Sequence, residues 1–135
     1  MGRHELREQV FLLLFGVEFH DFTEIPGQTK LFFENSEDIN SDKDIDYIQA
    51  RYQAVLDRLS EIDGLINVNT EGWDTSRMGK VELAVLRLAV YEMCFDDDIP
   101  EGVAIDEAVE IAKKYGQENS GGFVNAILAK ILKFR

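Results

Sequence analysis

The chain has few of the residues that support a metal centre or a disulfide framework. Its 135 residues include one cysteine, Cys94, two histidines and two prolines. A single cysteine cannot form an intramolecular disulfide, and with only two histidines it cannot complete a Cys/His zinc cage. Cys94 lies among Tyr91, Met93 and Phe95, so we predict that it is a small core residue. We therefore expect no metal and no cofactor.

Long apolar runs are also missing. The longest, Val10–Phe15, has six residues, whereas a membrane-spanning helix needs about 20. Glu5 and Glu8 precede this run, which argues against the basic leader segment of a secreted protein. The sequence opens Met-Gly, but Leu6 stands where a myristoylation signal has Ser or Thr. The sequence therefore predicts a cytoplasmic protein without a membrane contact.

Catalytic motifs are absent as well. The sequence contains no GxSxG, no GxxxxGK[ST] and no HExxH. Carboxylates are abundant, but their spacing singles out no acid/base pair. We predict that the protein is not an enzyme and has no catalytic residues.

Basic residues are scarce and unevenly placed. The chain has 14 Lys and Arg against 26 Asp and Glu, a net charge of −12. Such a charge repels free nucleic acid, because non-specific affinity comes from neutralising phosphates. Residues 113–135, however, hold five basic residues against Glu118, so this segment carries +4 and the rest of the chain −16. A basic end on an acidic body is compatible with one phosphate-facing surface.

Apolar residues recur at the 3- and 4-residue spacing of helices, and no strand-like alternation occurs. The pattern predicts an all-α fold, a compact bundle of six to seven helices in one domain with two small halves, residues 1–70 and 71–135. Long helices are expected at about Arg3–Phe19, from Asp44 to about Ile66, and at Lys80–Phe95, Ala104–Tyr115 and from Ser120 onward, where Ser120 or Asn119 caps the last helix. The expected shared core contains Phe11, Leu14, Val85, Leu86, Ala89, Val109, Val124 and Ile127.

The connections are predicted from loop-forming residues. Asp21–Lys30 is expected to be a loop around Pro26-Gly27, followed by a short helical turn at residues 31–33. The acidic stretch from Glu34 to Asp46 is expected to be a solvated loop and helix start. Gly64 is expected to kink the second long helix, and Trp73 to pin its connection to the core.

Residues 81–128 carry a recognisable series of motifs. They read VELAVLRLAVYEM from Val81 to Met93, then Ile99-Pro100, then VAIDEAVEIAKKYGQENSGGFVNAIL from Val103 to Leu128. This series resembles the signature of the NusB transcription-antitermination family. The resemblance implies a two-part helical bundle that binds the boxA element of ribosomal RNA leaders as single-stranded RNA. It also implies a partner, the small-subunit ribosomal protein NusE, and a role in the transcription elongation complex.

The segment from Lys113 to Phe123 is the candidate RNA surface. Lys113 and Tyr115 close one helix, and Asn119 and Ser120 open the next, whose N-terminus offers free N–H groups to phosphate. An exposed Phe123 could stack on an unpaired base. The alternative from the residues alone is an ordinary capped turn with both rings packed inward, and the resemblance favours the RNA reading.

The N-terminus is the second candidate surface. Members of this family often begin with an arginine-rich segment, and Arg3, His4 and Arg7 match it here. Glu5 and Glu8 cancel the charge of the two arginines. An equally good alternative is therefore that these residues only face solvent and do not bind RNA.

The remaining candidates concern protein contacts. Phe15 and Glu82 match positions that face NusE in the family, although a solvated glutamate would look the same. Arg87 and Glu92 lie on the most apolar helix and are expected to be structural. The alternative function is a protein-interaction module or homodimer with little RNA binding of its own. A domain fused to a ribosomal RNA methyltransferase is not expected, because 135 residues leave no room for one.

Overall fold

A computed structural model describes residues 1–39 and 41–134, and over this part of the chain the fold contains seven α-helices and no strand. This confirms the predicted all-α bundle. Arg135, counted above in the basic segment, and Asn40, in the acidic stretch, lie outside the described residues. The helices are α1 Arg3–Val17, α2 Ile25–Glu34, α3 Asp42–Asp57, α4 Leu59–Val68, α5 Lys80–Phe95, α6 Glu101–Tyr115 and α7 Ser120–Phe134.

Helix α5 is the centre of the molecule. Its eight residues from Leu83 to Val90 are all buried, and it packs against α1, α3, α4, α6 and α7. A helix that is apolar nearly all round can be stable only inside other elements. Both halves of the chain contribute to one hydrophobic core. The expected core residues are buried except Val109, which is half-buried because it faces Gly121 at the edge of the α6–α7 contact.

Two predicted boundaries were wrong. Pro26 is in the first turn of α2, not in a loop. A proline fits this position because the N–H groups of the first turn make no hydrogen bond within the helix. The second long helix is two helices, since the chain bends at Arg58 (φ −116°, ψ 17°), and Gly64 lies inside α4. The bend lets α3 pack on α1 while α4 packs on α5.

Arg87 of α5 is buried and paired, as expected for a structural guanidinium. It donates to both carboxylate oxygens of Asp63, at 2.9 and 2.8 Å, and to Glu18 at 2.5 Å. Burial alone would raise the pKa of Glu18, but the hydrogen bond and charge of Arg87 outweigh it and the pKa is lowered. This cluster ties α4 and the end of α1 to the central helix.

None of the helices in the described ranges is both long enough and apolar enough to cross a membrane.

Candidate RNA and partner surfaces

The turn between α6 and α7 is held in place by Ser120. Ser120 is 1% exposed. Its hydroxyl accepts a hydrogen bond from the Gln117 N–H at 2.8 Å and donates to Glu82 Oε1 of α5 at 2.5 Å. Ser120 is the first residue of α7. Asn119 before it is exposed, and its backbone carbonyl accepts the Phe123 N–H at 3.1 Å. Any contribution of Ser120 to RNA binding therefore acts through the position of this turn.

The side chains around this turn differ in exposure. Phe123 is half-buried, and its ring packs edge-on against Trp73, with centroids 6.3 Å apart and an interplanar angle of 79°. Tyr115 is also half-buried, because its ring lies 5.0 Å from that of Phe11 in the core. Lys113 is exposed and makes no ion pair within the described residues, while its stem packs close to Gly121. Lys113 and Asn119 thus remain accessible, and Phe123 partly so, with Lys113 against Gly121 and Phe123 facing Trp73.

The N-terminal cations are mostly engaged in internal ion pairs. Arg7 Nε donates to both oxygens of buried Glu92, at 2.8 and 3.1 Å, and Arg7 NH1 lies 3.7 Å from Glu107. Burial raises the pKa of Glu92, although Arg7 opposes this shift. Lys114 similarly contacts both oxygens of Glu8, at 2.9 and 3.1 Å. Arg3 alone of the predicted arm is exposed without a side-chain partner in the part of the chain that is described.

His4 is held between two carboxylates. Its Nδ1 contacts Glu107, and its Nε2 lies 3.5 Å from Glu8. The hydrogen bond to Glu107 is the main cause of a raised His4 pKa, which burial opposes only in part. His4 and Arg7 of the predicted arm therefore contact Glu107 of α6, which sequence reasoning missed because Glu107 is 103 residues from His4.

We expect the His4 pKa to be above the ordinary value of 6.5 when followed by NMR titration of its ring protons. The ion pairs are complete below this raised pKa and lose the imidazolium charge as pH rises through it. Glu107→Gln should lower the pKa, whereas Glu110→Gln, the same change one turn further along α6, should have little effect. A His4 pKa that is equal in both variants would contradict the assigned contact.

The two predicted partner residues lie on helices that pack together, α1 and α5. Phe15 is half-buried between Phe11 and Phe19, with ring centroids 6.3 and 5.1 Å away, and Phe19 is exposed. Glu82 is half-buried in the first turn of α5 and bonds Ser120, as described above. The Phe15 and Glu82 side chains thus remain partly accessible.

Trp73 does not lie where the sequence predicted. It was expected to pin its connection to the core, but its side chain is exposed and touches Phe123 instead. Gly72, which precedes the ring, adopts a positive φ of 77° and turns the chain there. The only sequence signal for this turn was the Glu-Gly pair that precedes Trp73.

Comparisons with known proteins identify the family of the chain. The sequence model of the NusB family matches residues 4–133. The transcription antitermination protein NusB of Agathobacter rectalis is 50% identical over 131 residues, 96% of this chain and 98% of that protein. Its counterpart in Lachnoclostridium phytofermentans is 44% identical, over 98% of this chain and 99% of that protein.

Solved structures give the same result. The chain resembles NusB of T. maritima with a TM-score of 0.85 and 39% identity, covering all of this chain and 93% of the other. It also resembles a chain in a crystal structure of the antitermination factors NusB and NusE in complex with double-stranded RNA, with a TM-score of 0.82, 29% identity and full coverage of both chains. The chain belongs to the NusB family.

Proposed function

We propose that this protein is a non-catalytic adaptor in transcription antitermination, which binds boxA-type RNA of ribosomal RNA leaders together with a NusE-type ribosomal protein. The observation that supports this most directly is the α6–α7 turn, where a half-exposed Phe123 lies in the first turn of a 15-residue helix that follows exposed Asn119, and exposed Lys113 packs against Gly121 of the same turn. The helix N-terminus favours phosphate, and the ring can stack on a base. The adaptor acts by positioning, within the cytoplasmic transcription elongation complex.

The RNA is proposed to be single-stranded. Stacking on Phe123 requires a base whose face is free, which a continuous duplex does not offer. The related NusB–NusE structure contains double-stranded RNA, so the two forms are compared directly in the experiments below.

A basic partner is part of the proposal because the chain alone is poorly equipped to hold phosphates. Its net charge is −12, and Arg7 and Lys114 already bind carboxylates of the same chain. A NusE-type protein docked on Phe15 and Glu82 would add cations next to the RNA. The complex should then release more counterions on binding than the chain alone.

Retention of a NusE-type protein by the wild-type chain tests the partner directly, and Glu82→Lys tests the surface. Charge reversal places a cation against a basic partner, so we expect the dissociation constant, measured calorimetrically at low salt, to rise at least about tenfold. Glu110→Lys is the matched control on exposed α6 and should bind like the wild type. No retention by the wild type would refute the partnership, and equal dissociation constants would remove Glu82 from the interface.

The alternative is a protein-interaction module, or a homodimer, with little RNA binding of its own. The internal ion pairs of His4, Arg7 and Lys114 favour this alternative for the isolated chain. Sedimentation of the isolated chain, with and without RNA, distinguishes the two. A dimer that RNA does not dissociate, and that binds no RNA when the NusE-type protein is present, would support the alternative.

A further inference from the structure

We propose that Trp73 is a second base-binding residue, which forms with Phe123 a two-ring corner for unpaired bases of the RNA. This inference rests on the proposed function, because it extends the Phe123 surface to a neighbouring segment of the chain. It gives a role to the sole tryptophan of the sequence, whose side chain is 53% exposed.

The geometry of the two rings suits bases. The Trp73 and Phe123 rings meet edge to face, with centroids 6.3 Å apart and planes inclined by 79°. Such a pair leaves the free face of the half-exposed indole pointing in a different direction from that of the phenyl ring. Consecutive bases of an unstacked strand can therefore each meet an aromatic face, as in other single-strand binding surfaces.

The backbone segment that carries the indole is held by hydrogen bonds. Gly72, at φ 77°, turns the chain just before it. The Thr70 hydroxyl donates to the Trp73 carbonyl oxygen, and the Thr75 N–H donates to Asn67 Oδ1 at 2.8 Å. These bonds join the segment to the end of α4. The backbone that carries the ring is thus held in position before any ligand binds, which reduces the entropy cost of binding.

Charges around the corner are balanced, unlike those of the chain as a whole. Lys130, two helical turns after Phe123 on α7, lies 3.9 Å from Glu71. Arg77 lies near Asp74, whose pKa is lowered first by the Ser76 hydroxyl and also by the Arg77 charge. In the segments that carry the rings, each of these two cations therefore has a carboxylate beside it. The two pairs carry no net charge, so they add no repulsion against an approaching base.

Stacking on Trp73 also has an expected dependence on salt. A stacked base neutralises no phosphate, so the contribution of Trp73 should not depend on salt. A lysine or arginine that binds phosphate would instead change the slope of affinity against salt concentration. This difference separates stacking at Trp73 from a general electrostatic effect.

The test uses 5-fluorotryptophan incorporated into this chain, so that fluorine NMR reports on position 73 alone. Single-stranded boxA-like RNA is added to the chain with its NusE-type partner, and a duplex of the same sequence serves as comparison. We expect the fluorine signal to shift with the single strand and less with the duplex. Trp73→Ala should weaken single-strand binding about five- to twentyfold with an unchanged salt slope. Trp73→Phe, which keeps a ring, should recover most of the loss.

Each other outcome overturns the inference. If the wild-type complex does not bind RNA, the proposed function fails and the corner fails with it. If the complex binds RNA and Phe123→Ala weakens it, but Trp73→Ala does not and the fluorine signal stays in place, only the role of Trp73 is refuted. A fluorine shift caused fully by the partner, with no further change on adding RNA, would assign Trp73 to the protein interface instead. Loss of helical circular dichroism in Trp73→Ala, without recovery of binding by Trp73→Phe, would make the residue structural.

Discussion

Leu86→Ala should reduce the free energy of unfolding by about 2–5 kcal/mol. Leu86 is fully buried in the middle of α5, and buried residues precede and follow it along the helix. Because other helices enclose α5, the neighbouring side chains cannot fully collapse into the space that the leucine leaves. The loss is a large share of the 5–15 kcal/mol that is usual for a whole domain.

Urea denaturation followed by circular dichroism measures this loss, with the midpoint expected to fall at an unchanged slope. Leu31→Ala is the matched control, because Leu31 lies on α2 and is about half exposed. Its cost should be under about 1 kcal/mol. Similar costs for both variants would contradict the central position assigned to α5.

Phe123→Ala should weaken RNA binding by the complex roughly ten- to a hundredfold, since stacking contributes about 1–3 kcal/mol per base. The slope of affinity against salt should stay the same, because the ring carries no charge. Phe134→Ala is the control: it is the same truncation at the exposed far end of α7, and should bind like the wild type. Wild-type affinity in a folded Phe123→Ala variant would mean that the ring is merely packed.

The arm residues behave differently in the same titration. Arg3→Ala should reduce the salt slope by about one phosphate contact, because Arg3 is exposed and its guanidinium is accessible. The same was expected of Arg7 from the sequence. In the structure Arg7 is paired with buried Glu92, so Arg7→Ala would also leave a carboxylate without its partner and destabilise the fold.

The sequence predicts the bounds of a helix well where the apolar periodicity stops at residues that end helices. Helix α5 was predicted with its exact bounds, since an apolar run ends there at Asp96. The break at Arg58 was not predictable, because the apolar stripe continues at helical spacing across it. Pro26 is compatible with a loop or with the first turn of a helix, and only the packing of α2 decides between them.

The candidate surfaces were less predictable than the fold. Residue types identified the aromatic and basic side chains near the α6–α7 turn. Whether a basic side chain is free or already paired depends on contacts between distant segments, such as Arg7 with Glu92 and Lys114 with Glu8. The exposure of Trp73 was also not predicted, because the residue lies in a turn, after Gly72 with its positive φ, where the periodicity of apolar residues gives no information.

The hydrogen bond from Ser120 to Glu82 has a thermodynamic consequence. It joins the first turn of α7, where RNA is proposed to bind, to a side chain proposed to face the protein partner. If binding at either end stabilises this bond, the two ligands are linked, and each must raise the affinity for the other by the same factor. Glu82→Gln keeps an acceptor for the hydroxyl and should preserve this coupling, whereas Ser120→Ala removes the donor and should make the two binding events independent.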